Sequence, residues 1–124
     1  MPRWPGLGLL LVAGLGGAVW AQGVGPFDGQ YVGAMTLTRW VGGDCTDPPL
    51  GARYPLSIAG GQVRFKYVPR FDTVLRGTVD RNGNFKASAR IHHGTVVMTG
   101  HVQGGDLTAE IVSPSCHYSY STRN

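Results

Sequence analysis

The sequence predicts an all-β protein: an antiparallel meander of about eight strands, closed or nearly closed into a small barrel, with a two-sheet sandwich as the alternative. Three observations carry that expectation. The text between Val74 and Val112 repeats, once as V-L-R-G-T-V-D-R-N-G-N-F-K-A-S-A and again as V-M-T-G-H-V-Q-G-G-D-L-T-A-E-I, with apolar or small residues at alternate positions on either side of a glycine-bearing turn. Similar glycine turns punctuate the rest of the chain, and no stretch has helical periodicity of useful length. A pair of cysteines, Cys45 and Cys116, is placed to tie the last strand to the end of the first.

The first 21 residues read as a targeting segment and stand outside the fold. Met1 to Arg3 give a short positive start. Leu7 to Val19 give an apolar run too short to span a bilayer, and Val19-Trp20-Ala21 places small residues where a signal peptidase cuts. Residues 22–124 then form one domain, exported to the periplasm or beyond, with no transmembrane anchor after cleavage. In that compartment an even pair of cysteines reads as a disulfide. The bond would close a loop of about 70 residues, worth at most roughly 4 kcal/mol by loop-closure entropy. Without Arg3, ten basic residues face seven acidic ones, a net charge of +3. That permits an anionic partner without requiring one.

Each strand follows from its alternation and its turn. The first runs from Tyr31 to Arg39, with Tyr31, Gly33, Met35 and Leu37 on one face. Residues 40–53 form a long loop whose Pro48-Pro49 excludes a central strand. Residues 54–59 and 62–68 make a hairpin across Gly60-Gly61, because both positions of a type I′ turn need positive φ. That turn sets Ile58 against Val63 and Leu56 against Phe65. Arg81-Asn82-Gly83 suits a three-residue turn and sets Val79 against Phe85 and Gly77 against Ala87. His93-Gly94, taken as the next two-residue turn, sets Ala89 against Met98 and Ala87 against Gly100. Gly104-Gly105 sets Val102 against Leu107 and Gly100 against Ala109. The combined register predicts a transverse inward row of tiny side chains: Gly77, Ala87, Gly100 and Ala109. After Pro114 an eighth strand presents Cys116, Tyr118 and Tyr120 on one face.

Candidate sites follow from this frame. The small-residue row is either the floor of a ligand pocket or the space that the protein's own rings require. The 40–53 loop, with Trp40, Asp44, Asp47 and Arg53, is the best place for recognition, because long ordered loops on rigid sheets often bind. Its structural alternative is a strap over the barrel end with Trp40 plugging the core. Arg64, Lys66, Arg76 and Lys86 make a modest basic patch, open to lipopolysaccharide, nucleic acid or an acidic protein. No interleaved aromatics support single-strand stacking, so the chain carries no specific nucleic-acid signal. His92, His93, His101 and His117 are not at ligand spacing, so no metal or cofactor is expected. Six of the seven carboxylates fall in turns or loops, leaving no paired acid and base and no catalytic constellation.

F-D-G-Q-Y-V-G at Phe27 to Gly33, the following Cys45, the glycine-turn hairpins and the near-terminal Cys116 together resemble a loose group of small exported proteobacterial β-proteins of unknown role. That resemblance implies no activity. Size, one disulfide and eight strands also resemble exported bacterial inhibitors built on small barrels, such as metalloprotease inhibitors, as an analogy of fold. The Gly-x-aromatic strand style is similar to that of avidin-like barrels, but Trp40 is the one tryptophan after the targeting segment, and a biotin pocket needs several. The expectation is therefore a non-enzymatic binding module, engaging a protein or cell-envelope component through the 40–53 loop. The alternatives are a small-ligand carrier using the barrel interior and a small-barrel enzyme inhibitor.

Overall fold

The computed structural model describes residues 25–67 and 73–123. The targeting segment proposed for residues 1–21 lies outside them. Eight antiparallel strands follow in chain order: β1 (Gly29–Trp40), β2 (Tyr54–Ala59), β3 (Gln62–Tyr67), β4 (Thr73–Val79), β5 (Asn84–Ile91), β6 (Gly94–Gln103), β7 (Asp106–Val112) and β8 (Cys116–Ser121). Each pairs with its sequence neighbour and β8 returns to β1, so the meander closes into a barrel. The sandwich alternative is thereby excluded. β1 makes closure possible because it is long enough to serve two partners. Gly29–Gly33 pair with β2, whereas Ala34–Trp40 pair with β8, with a register shift between Leu37 and Arg39. A bulge of this kind bends the strand and increases its twist, which helps a small sheet to meet itself. Cys45 and Cys116 form the expected disulfide.

Most turns act as their residues dictate. Gly60 and Gly61 have φ of 60° and 77°, and Leu56 faces Phe65 as the hairpin requires. Gly83 takes φ of 90° at the end of the three-residue turn, with Val79 opposite Phe85. One register differs from the sequence expectation. Ile91 pairs with Gly94, so the β5–β6 turn is His92-His93, and Ala87 lies opposite Met98 while Phe85 lies opposite Gly100. The strand partner is displaced by two residues. Gly94 is a strand residue at φ 147°, where an added Cβ would stand 2.7 Å from Cγ of Pro114. Its glycine serves close packing against the β7–β8 connection, a tertiary demand that local turn chemistry does not reveal.

The displacement dissolves the predicted single row of tiny side chains. Gly77 and Ala87 share one level with Met98, Ile111 and Tyr118, while Gly100 and Ala109 share the next with Val79, Phe85 and Tyr120. Small residues therefore sit beside large ones on both levels. A Cβ on Gly100 would meet the Phe85 ring at 2.5–2.6 Å, and one on Gly33 would stand 2.8 Å from Cζ of Tyr120. A Cβ on Gly77 would overlap the Lys86 carbonyl, so that glycine serves close strand approach.

The barrel interior is filled by side chains. Leu56, Val63, Leu75, Val96, Met98, Leu107 and Ile111 are wholly buried. Phe65 and Tyr120 meet edge-on at 5.2 Å, as do Tyr67 and Tyr118 at 6.2 Å, the arrangement that aromatic quadrupoles favour. The alternate, outward positions are mostly polar or charged, the reverse of a membrane-spanning barrel with a lipid-facing apolar band. The end opposite the 40–53 loop is covered by residues 25–28. Phe27 reaches toward Gly83, and its carbonyl accepts a 2.6 Å hydrogen bond from the Tyr31 hydroxyl. The Asp28 carboxylate accepts from three backbone amides: Gly25 at 2.8 Å, Gly60 at 2.7 Å and Gly61 at 3.1 Å. These bonds, led by the one from Gly25, hold its pKa below the ordinary 3.8.

Two measurements check this packing. Gly100→Val should lower the melting temperature by roughly 5–15 °C, the range expected for about 1–3 kcal/mol of overpacking in a domain of this size. Adding Phe85→Leu should recover part of the loss, and an unchanged melting temperature for Gly100→Val would contradict the seating of Phe85 over Gly100. The second check uses Asp28. Its depressed folded pKa means that its contribution is complete above the unfolded value of 3.8 and is lost as pH falls through the folded pKa. Asp28→Asn should therefore melt below the wild type at neutral pH, with the gap narrowing in acid; a gap independent of pH would count against the carboxylate cap.

Candidate recognition surface at the loop end

Residues 41–53 carry no strand, yet they are fastened at several points. Three anchors come from the inward face of β8. Cys116 binds Cys45 covalently. The Tyr118 hydroxyl donates to the Thr46 carbonyl at 2.8 Å, and the Tyr120 hydroxyl donates to the Tyr54 carbonyl at 2.7 Å, where the loop enters β2. The period of two puts these residues on one face, so one short strand holds the middle and the end of the loop. Its start is held by backbone bonds from Val41 and Gly42 to the Ser115 carbonyl at 2.8 and 3.3 Å. The Arg53 guanidinium donates to the Val32 carbonyl at 2.9 Å, fastening the loop's end to the outside of β1.

The candidate residues of the loop separate accordingly. Arg53 is a tether. Asp44 and Asp47 are exposed; Asp44 lines a cleft of about 410 Å³ with Thr46, Tyr67, His93 and Ser115. Trp40 stands opposite Cys116 at the end of β1, but it is 62% exposed and its indole N–H donates to the Gly43 carbonyl at 2.9 Å. It does not plug the core. That space is taken by the rings of Tyr67 and Tyr118, and Trp40, the last residue of β1, is paired with Cys116, the first of β8. Val41 at 54% and Leu50 at 105% exposure add further apolar surface to the same loop.

The remaining candidates lie elsewhere. Arg64, Lys66, Arg76 and Lys86 are all exposed on the outer wall of β3–β5. His92 and His93 stack edge-on within their turn at 4.3 Å, and His101 shares a 2.8 Å hydrogen bond with Asn84. Among the described residues no three His, Cys, Asp or Glu side chains gather at metal-binding distance. Sequence reasoning missed Phe27 and Asp28 as a cap and assigned no tether to Tyr118 or Tyr120. The period-two spacing of Cys116, Tyr118 and Tyr120 was the available signal, since inward tyrosines need a partner for each hydroxyl.

No protein-family profile matches this chain, and neither a curated protein nor a solved structure is detectably similar to it.

Burial pushes the Tyr118 and Tyr120 phenols up to about 12 from an ordinary 10.0. An acid whose folded pKa is raised favours the fold while neutral, so this contribution is complete below the unfolded value and is lost as pH rises from 10 through 12. Phenolate absorbance should show these two tyrosines titrating with cooperative unfolding in that window. Replacing both with Phe should move the alkaline midpoint upward while lowering neutral-pH stability by about 1 kcal/mol per hydrogen bond. Ionisation of every tyrosine near pH 10 without unfolding would contradict the tethers.

Proposed function

We propose that this protein is an exported, non-enzymatic binding module that engages a protein or cell-envelope component through the 40–53 loop. The observation that carries this reading is a loop fixed by a disulfide and four hydrogen-bonded contacts that still presents Trp40, Val41 and Leu50 to solvent. Ordering a loop costs conformational entropy, and a loop already ordered before binding avoids that cost at the encounter. Exposed tryptophan is among the side chains that dominate protein interfaces. The disulfide is consistent with an oxidising, extracytoplasmic compartment, and residues 1–21 supply the export signal that takes the chain to the periplasm or outside the cell.

An enzyme inhibitor is the special case in which the partner is an enzyme and the loop enters its cleft. The carrier alternative draws no support from the interior, whose inward positions are occupied by aromatic and aliphatic side chains. The test is affinity capture from an envelope extract by the mature, oxidised protein, in parallel with Trp40→Ser, Leu50→Ser and, as a control on the barrel wall, Thr99→Ser. A specific partner should be retained by the wild type and the control and lost by about tenfold or more in Trp40→Ser, the scale of an interface hot spot. Retention unaffected by both loop substitutions would refute the reading.

A further inference from the structure

The outer wall of β3–β5 carries a charge arrangement that neither the fold nor the loop requires. Arg64 on β3 lies directly opposite Arg76 on β4, and Arg76 lies opposite Ser88 on β5. One step toward the loop end, Lys66 lies opposite Val74, and Arg90 follows Ser88 on the same face of β5. One step the other way, Thr78 lies opposite Lys86. All five cationic side chains are exposed. With strands about 4.8 Å apart and same-face residues about 6.8 Å apart, they occupy a patch of roughly 10 by 14 Å.

No carboxylate neutralises this patch among the described residues. Away from the patch, Arg123 forms an ion pair with Asp106 beside the β6–β7 turn. Glu110 lies two strands beyond Lys86 on the same transverse level, and Asp80 spends a carboxylate oxygen on the amides of Asn82 and Asn84 within its own turn. Like charges placed directly across two strands repel. The Arg64–Arg76 pair is therefore a small cost to the isolated barrel that an anionic array would reverse.

We propose that this wall docks on the phosphate headgroups of an anionic lipid bilayer. The patch is the outside of a convex barrel wall, with no groove to follow a nucleic-acid backbone and, among the described residues of its outward face, no aromatic side chain for base stacking. It does carry an apolar side chain, the half-buried Val74 opposite Lys66. The disulfide is consistent with an extracytoplasmic compartment, where phospholipid headgroups are one source of phosphate. The wall is separate from the loop, so this contact would coexist with a partner held there.

The experiment is co-sedimentation of the oxidised protein with phosphatidylglycerol-containing vesicles and with pure phosphatidylcholine vesicles, at low and physiological salt. Partition onto the anionic vesicles should exceed that onto the neutral ones by at least about tenfold at low salt and should fall as salt rises. The double reversal Arg64→Glu with Arg76→Glu should abolish that preference, and the milder Arg64→Gln with Arg76→Gln should weaken it severalfold. Thermal unfolding confirms that each variant is folded. Arg39→Glu with Arg123→Glu makes the same change in net charge away from the wall and should keep most of the binding. Equal partition onto both vesicles, or equal loss in the two reversed pairs, would overturn the proposal. So would tighter binding of the same wall to duplex DNA than to anionic vesicles. Loop substitutions leave this assay unchanged, so its outcome is independent of the loop's partner.

Discussion

Everything in this structure depends on the pairing of β1 with β8. An open eight-stranded meander would leave two edges of unpaired amides and carbonyls, the usual template for aggregation. Joining the first strand to the last removes them, and it does so because β1 divides its length between β2 and β8. That pairing joins the two ends of the described fold, and its entropic cost is among the largest in the chain. The Cys45–Cys116 bond sits beside the end of the same pairing, opposite Trp40, where it shortens the search for closure. The inward face of β8 is also the anchor of the 40–53 loop, so barrel closure and loop order draw on the same strand.

Closure at this size also fixes what the inside can be. A barrel of eight short strands encloses a space that its own side chains can fill. Here Phe65, Tyr67, Phe85, Tyr118 and Tyr120 need more room than a uniform wall of branched residues would leave. Glycine at 33 and 100 supplies it, each lying beneath a ring. The small residues are thus complements to the aromatics, distributed wherever a ring is seated. A chain that has used its interior in this way offers its outer wall and its loop end as the surfaces to which the proposed function is assigned.

The fold was largely legible because turn chemistry and alternation constrain register independently and agreed at most hairpins. Gly60-Gly61, Asn82-Gly83 and Gly104-Gly105 each set a register that apolar pairing also favoured. They parted at residues 91–94. There His93-Gly94 is a good turn by composition, yet both registers kept the apolar face inward, since they differ by two residues and parity is preserved. Alternation could not arbitrate, and the deciding contact is between Gly94 and Pro114, twenty positions away in sequence. The site was less legible for a related reason. Trp40 reads as a core residue by type, yet it ends β1 with its indole bonded to the Gly43 carbonyl of the loop and its ring exposed. Asp28 reads as a turn residue, and its three amide partners come from two separate segments. Contacts that join remote segments leave no local periodicity.

The two surfaces proposed for recognition make different physical demands, and the barrel separates them. The loop end presents exposed apolar groups on a fixed backbone, suited to a specific, desolvated contact whose strength depends on shape. The wall of β3–β5 presents charge on long, mobile side chains, suited to a contact that is weak per residue, tolerant of geometry and sensitive to salt. A surface of the second kind concentrates the protein at a boundary and restricts its orientation without fixing it. A barrel lying on that wall would keep its axis near the membrane plane and its loop end free at the side. Search for a membrane-borne partner would then run across a surface instead of through a volume, raising the effective concentration available to a modest loop interface. Charge placed around the whole barrel would attract without orienting. Clustering Arg64, Lys66, Arg76, Lys86 and Arg90 on three strands would bias which side of the barrel meets the membrane, and so let the two proposed surfaces act together.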